Sequence, residues 1–136
     1  MKSEREVFRG TVVRGAGRGK ALGFPTANLD IPEERLPRSG IYAAWARIGD
    51  EEIWRAGAAS IGFNPTFGDR TRKLEVHLLD FDGDLYGLTL EVVLAAFLRE
   101  EKRFPDIAAL KEQMKRDCRR ARWILAGERI PDGVPR

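Results

Sequence analysis

Residues Gly15-Ala16-Gly17-Arg18-Gly19-Lys20-Ala21-Leu22-Gly23-Phe24-Pro25-Thr26-Ala27-Asn28 hold the densest chemistry in the chain. Four glycines fall within nine residues, and two of the positions between them are cations. Glycines so spaced let a backbone approach a ligand and turn its amides toward anionic oxygens, and Arg18 and Lys20 add positive charge. Thr26 and Asn28, one residue apart, offer hard oxygens of the kind Mg²⁺ takes beside nucleotide phosphates. A phosphate-and-metal site is the natural reading.

The two common glycine-rich nucleotide motifs do not fit. A P-loop requires glycine where Arg14 stands and Ser or Thr where Ala21 stands. The dinucleotide fingerprint requires a third glycine at Leu22. Glycine richness alone describes a surface loop, but the ordered run from Leu22 to Asn28 argues against that reading. A second candidate group lies at Leu74-Glu75-Val76-His77-Leu78. Period-two alternation puts Leu74, Val76 and Leu78 on one face and Glu75 with His77 on the other. A carboxylate on a rigid strand suits a general base, and an outward-facing surface Glu is the plainer alternative. Asp80-x-Asp82-x-Asp84 with Glu91 superficially matches a calcium loop, but Leu85 replaces the required glycine and no helices flank it.

The elements that position these residues are read from composition and period. With 136 residues, 43% hydrophobic and 33% charged, the chain reads as one soluble globular domain with a core over about 7–126 and a short loose C-terminal tail from Ile130. The charged start and the lack of a long apolar run point away from a membrane or secretion. One cysteine, Cys118, and one histidine, His77, make a thiolate–imidazole zinc site implausible and a cytoplasmic location the default. Net charge is only +3, yet Arg99–Arg122 holds nine Lys/Arg against five Asp/Glu, which reads as a solvated helical face or a polyanion contact.

Val7–Val13, Gly40–Ile48, Ile53–Ile61, Arg72–Leu79 and Leu88–Leu98 read as strands. The second and third are predicted to form a hairpin across Gly49–Glu52, and the fourth and fifth another across Asp80–Asp84. Five or six strands in this length predict a small antiparallel barrel, because closure removes exposed edges. After Pro105, Asp106 caps a predicted helix whose stripe is Ile107, Leu110, Met114, Cys118, Ala121 and Leu125, ending at Gly127.

Taken in order, these motifs closely resemble riboflavin kinases, alone or as the C-terminal module of bifunctional flavin synthetases. The resemblance is carried by Gly15-x-Gly17-Arg18-Gly19, Leu22–Asn28, Gly40-Ile41-Tyr42, Ser60–Phe67, Glu75-Val76-His77, Asp84–Gly87, Phe97–Phe104 and Asp117. It implies an all-β, six-stranded Greek-key barrel with a C-terminal helix packed on it. It also implies transfer of the ATP γ-phosphate to the ribityl 5′-hydroxyl of riboflavin, stopping at FMN because no adenylyltransferase half accompanies the motifs. By position, Glu75 would be the base, and Thr26 and Asn28 would hold Mg²⁺ or, in its place, Zn²⁺ or Mn²⁺. Gly15, Lys20, Leu78, Asp80 and Tyr86 would line the ATP site; Arg99, Lys102 and Phe104 would hold the flavin. The expected partners are ATP and riboflavin, with no nucleic acid, no membrane and a monomeric state. The alternatives are a non-catalytic basic β-barrel that binds single-stranded nucleic acid and a flavin-binding barrel without catalysis.

Overall fold

Alternation along the strands decides where the core sits. In β5 (Lys73–Leu78), Leu74, Val76 and Leu78 are buried while Glu75 and His77 stay partly exposed. A strand with one apolar face needs a partner surface, and here the surface is the inside of a closed barrel. The computed structural model describes residues 6–15, 20, 22–63 and 70–127. Its strands are β1 (Val7–Val13), β2 (Ala27–Leu29), β3 (Gly40–Ile48), β4 (Arg55–Gly62), β5 and β6 (Thr89–Arg99). They close in the order β1-β2-β5-β4-β3-β6, every neighbouring pair antiparallel. Phe8, Val12, Leu29, Ile61, Leu90 and Val92 join the β5 residues in the interior.

Helix α1 (Ile107–Ala126) packs outside the barrel on β3, β4 and β6. The outer face there is made of small side chains, Ala43, Ala56, Ala58, Ala95 and Ala96, which let Ala121 and Leu125 come close. Asp106 caps the helix by accepting from the Ala109 amide at 2.8 Å, and Gly127 ends it, as the sequence predicts. The buried stripe differs at two places. Ile107 is exposed, whereas Asp117 is buried because it meets Arg99 from β6.

The β3–β4 hairpin forms as read, with a register from Gly40↔Ile61 to Ala46↔Arg55. Gly40 starts β3 at φ 151°, and a Cβ there would lie 2.3 Å from the Phe97 ring, so the close approach requires glycine. The second predicted hairpin is not one. β5 pairs with β2 and β4, while β6 pairs with β1 and β3, so Leu79–Leu88 crosses one end of the barrel. The cause is closure: β2 must fill the gap between β1 and β5, leaving β6 to bridge β3 and β1. Hidden in the motif after the glycine loop, β2 was the strand absent from the pattern-based reading. Ala16–Gly19, Ala21, Asn64–Phe67 and the tail from Ile130 lie outside the described residues.

Because Ala43 and Ala121 are fully buried between sheet and helix, Ala43→Leu should overpack that layer. Equilibrium denaturation should show a loss of about 1–3 kcal/mol. Wild-type stability would mean that α1 does not seat against β3 as described.

Candidate active site

The site begins at the β2–β5 pairing. Asn28 on β2 faces Glu75 on β5 as its cross-strand partner, and directly opposed residues share a face of the sheet. Ala27 and Leu29 point inward and are buried, so Asn28 stands on the outer side with Glu75. Thr26, just ahead of the strand, donates from Oγ1 to Glu75 Oε1 at 3.0 Å. Gly15 closes over this group: a Cβ on it would lie 2.2 Å from Asn28 Nδ2. The glycine therefore matters at this position for proximity, since any side chain would displace the Asn28 carboxamide. His77 stands two residues beyond Glu75 on the same face, with Nδ1 2.7 Å from the Pro25 carbonyl oxygen.

A cleft of about 620 Å³ opens beside this group at the end of the barrel where β1 and β5 finish. Of the sequence-predicted residues, Gly15, Lys20, Thr26, Asn28, Leu78 and Tyr86 line it. Glu75 is not in its wall but adjoins it through the hydroxyl of Thr26. Sequence reasoning missed Arg14, Phe81, Asp82 and Leu85, which also line the cleft. Arg14 places its guanidinium 4.2 Å from the centre of the Tyr86 ring, tying the end of β1 to the opposite wall. Asp84 accepts from the Tyr86 amide at 3.0 Å, which shapes that wall. Asp80 is placed elsewhere. Its residue takes a left-handed φ of 55°, and its carboxylate pairs with Arg122 of α1 rather than lining the cleft. The hydrogen bond from Arg122 holds the Asp80 carboxyl below its ordinary range.

The strand register joins this end to the remaining predicted residues. Asn28 opposes Glu75, Glu75 opposes Ser60, Ser60 opposes Ile41, and Ile41 opposes Arg99. One outward row therefore follows the barrel wall across five of its strands, and in the closed ring β5 with Glu75 and β6 with Arg99 stand three places apart, on opposite sides. At the far end, Arg99 binds Asp117 through two parallel bonds, Nε–Oδ1 at 2.9 Å and NH2–Oδ2 at 2.7 Å. Gln113 donates to the same carboxylate at 3.0 Å, and Arg99 NH1 donates to the Glu100 carbonyl. Arg99 and Lys102 both approach the Phe104 ring, at 5.8 and 5.4 Å. Glu101 accepts from the Phe63 amide at 3.4 Å, which brings the 100–104 loop back toward β4. Cys118, next to Asp117, has its thiol pushed up to about 11, first by burial and then by that carboxylate, so it is not a nucleophile here.

The donor chemistry at Thr26 and Asn28 fits a hard divalent cation. Among the described residues there is no cluster of three or more His, Cys, Asp or Glu to cage a metal alone. Two neutral oxygens beside a cleft of this volume match an ion that takes most of its ligands from substrate phosphates and water.

Residues 4–125 match the sequence model of the Flavokinase family, described as riboflavin kinase. A bifunctional riboflavin kinase/FMN adenylyltransferase of Pseudomonas fluorescens is 44% identical over 118 residues, covering 86% of this chain and 37% of that protein. The RNA-binding riboflavin kinase RibR of Bacillus subtilis (strain 168) is 38% identical over 129 residues, 93% of this chain and 55% of RibR. The chain thus spans between a third and a little over half of these relatives. Among solved structures, riboflavin kinase from Trypanosoma brucei superposes with a TM-score of 0.67 at 27% identity, covering 89% of this chain and 77% of that one. A Streptococcus pneumoniae chain described as a macrolide-efflux protein gives a TM-score of 0.75 at 33% identity over 87% of this chain, but 38% of its own length.

Removing Asp117 should strand Arg99, whose side chain retains only 19% exposure. Asp117→Ala is expected to cost about 2–4 kcal/mol, near the range for breaking a buried pair and reduced for residual solvent. Urea denaturation checks this, and a change below about 0.5 kcal/mol would mark the pair as a surface contact.

Proposed function

The chain belongs to the riboflavin kinase family, and from that premise we propose that it transfers the γ-phosphate of ATP to the 5′-hydroxyl of riboflavin. FMN and ADP are the products. The observation that carries the reading is the Thr26–Glu75 contact opposite Asn28, at the edge of a nucleotide-sized cleft. The cleft takes the nucleotide, with Gly15 and Lys20 at its phosphates and Leu78 and Tyr86 along its walls. The flavin lies with its ribityl end at Glu75.

Phosphoryl transfer asks mainly for positioning and charge neutralisation. Thr26 and Asn28 would hold Mg²⁺, which supplies charge compensation to the transferring phosphate; Zn²⁺ or Mn²⁺ has the same oxygen donors available. Glu75, fixed on a strand, receives the proton of the attacking hydroxyl, for which its carboxylate must come within hydrogen-bond reach. Arg99 is committed to Asp117, so it anchors the start of the 100–104 loop, and Lys102 and Phe104 present a cation and a ring face to the flavin. The protein acts as a monomer in the cytoplasm on this reading. Among the described residues no helix is long and apolar enough to cross a membrane.

A second reading is favoured by one feature of α1. Trp123 is 80% exposed on the same helical face as Arg116, Arg119 and Arg120, and the relative RibR is described as RNA-binding. It ranks second because, among the described residues, the other tryptophans form no platform with Trp123, Trp54 being buried and Trp45 half-buried. Titration with single-stranded RNA over a salt series separates the two, since a nucleic-acid site shows steep salt dependence.

Glu75→Gln keeps an oxygen acceptor for Thr26 while removing the basicity. Turnover should fall by roughly two to four orders of magnitude, with riboflavin and MgATP dissociation constants and the melting temperature near wild type. Unchanged turnover in the folded variant would remove Glu75 from the mechanism.

A further inference from the structure

Two outward side chains of β5 grip two consecutive residues of the segment entering β2. Glu75 accepts from Thr26 Oγ1 at 3.0 Å, and His77 Nδ1 lies 2.7 Å from the oxygen of Pro25. A carbonyl oxygen only accepts, so Nδ1 carries the hydrogen of this bond. The imidazole is also braced by Phe24, whose ring meets it edge-on at 5.5 Å and 72°. The backbone ladder offers no replacement for this link. Pairing between β2 and β5 starts at Ala27↔Val76, and Pro25, which lies outside it, has no N–H to give.

The two grips are not equivalent in the proposed reaction, on which this inference rests. Glu75 must turn its carboxylate to the attacking hydroxyl, and Thr26 must turn its oxygen to the cation. Both partners of that bond therefore also serve the reaction, which shares their oxygens with the hydroxyl and the cation. His77 is instead engaged with the segment itself, through Nδ1 and the Pro25 oxygen. We propose that His77 is a positioning residue: it holds Pro25 to β5 and so keeps Thr26 at the cation site while Glu75 and Thr26 serve the reaction. The two-residue spacing of Glu75 and His77 is what permits this. It puts both side chains on one face of one strand, one for chemistry and one for keeping the neighbouring segment in register.

Two substitutions separate donor from ring. His77→Phe keeps a ring against Phe24 but cannot donate; His77→Asn places an amide nitrogen near the position of Nδ1 and gives up the ring. MgATP binding is measured by calorimetry without riboflavin, together with the Mg²⁺ dependence of FMN formation, the riboflavin KM and the melting temperature. His77→Phe should weaken MgATP binding and raise the half-saturating Mg²⁺ by roughly three- to tenfold, the worth of one hydrogen bond, with riboflavin KM within about twofold. His77→Asn should recover most of that loss. Wild-type MgATP binding by a folded His77→Phe would overturn the proposal. Equal losses in both variants, tracking a lowered melting temperature, would also overturn it by assigning the ring to packing alone. If the wild-type chain forms no FMN but MgATP binding still separates Phe from Asn, the kinase reading fails and the positioning role stands. If FMN forms and both variants bind MgATP as wild type does, the positioning role alone fails.

Discussion

Everything in this molecule's candidate chemistry depends on the pairing of a three-residue strand. Ala27–Leu29 closes the barrel by bonding to β1 on one side and β5 on the other. Its two end residues are buried in the core, so the register is fixed by packing: a slip of one residue would expose Ala27 and Leu29 and bury Asn28. The same register sets Asn28 opposite Glu75 and delivers Thr26 to the Glu75 carboxylate. The hydrophobic interior thus specifies the placement of polar groups on the outside, and fold and site share one constraint.

The consequence is a division of labour between the faces of each strand. Inward residues of β5 make the core; its outward residues, Glu75 and His77, meet the segment that carries Thr26. The outer surface is divided again along the strands. Alanines on β3, β4 and β6 receive the helix, and the helix returns Asp117 to fix Arg99 at the far end of the row that begins at Asn28. Strands that fix Asn28 and Glu75 suit a reaction that needs alignment more than covalent participation.

Much of this was legible in the sequence because it rests on local rules. Alternation in Leu74–Leu78 gave the correct faces, the Asp106 cap and Gly127 bounded the helix, and Gly49–Glu52 marked a true hairpin. Readings that failed depended on long-range partners. Asp80–Asp84 has the composition of a hairpin turn, yet which strands pair across it is decided by barrel closure, and the segment became the cleft wall and a link to α1 through Arg122. Asp117 interrupts an apolar stripe for a reason invisible along the helix, namely a guanidinium arriving from β6. Arg14 carried no local sign of its contact with Tyr86, which lies on the opposite wall of the cleft. The familiar order of motifs identified the family from residues alone; the geometry added which of them touch.

On the proposed function, the cleft and the Thr26–Asn28–Glu75 group together carry a phosphoryl group from ATP to a flavin hydroxyl. The most direct measurement follows the label from [γ-³²P]ATP after incubation of the purified chain with riboflavin and Mg²⁺, with the flavins separated chromatographically. The label should appear in FMN in proportion to riboflavin consumed, and depend on the divalent ion. Riboflavin recovered unlabelled and unchanged by a folded protein that binds MgATP would contradict the claim.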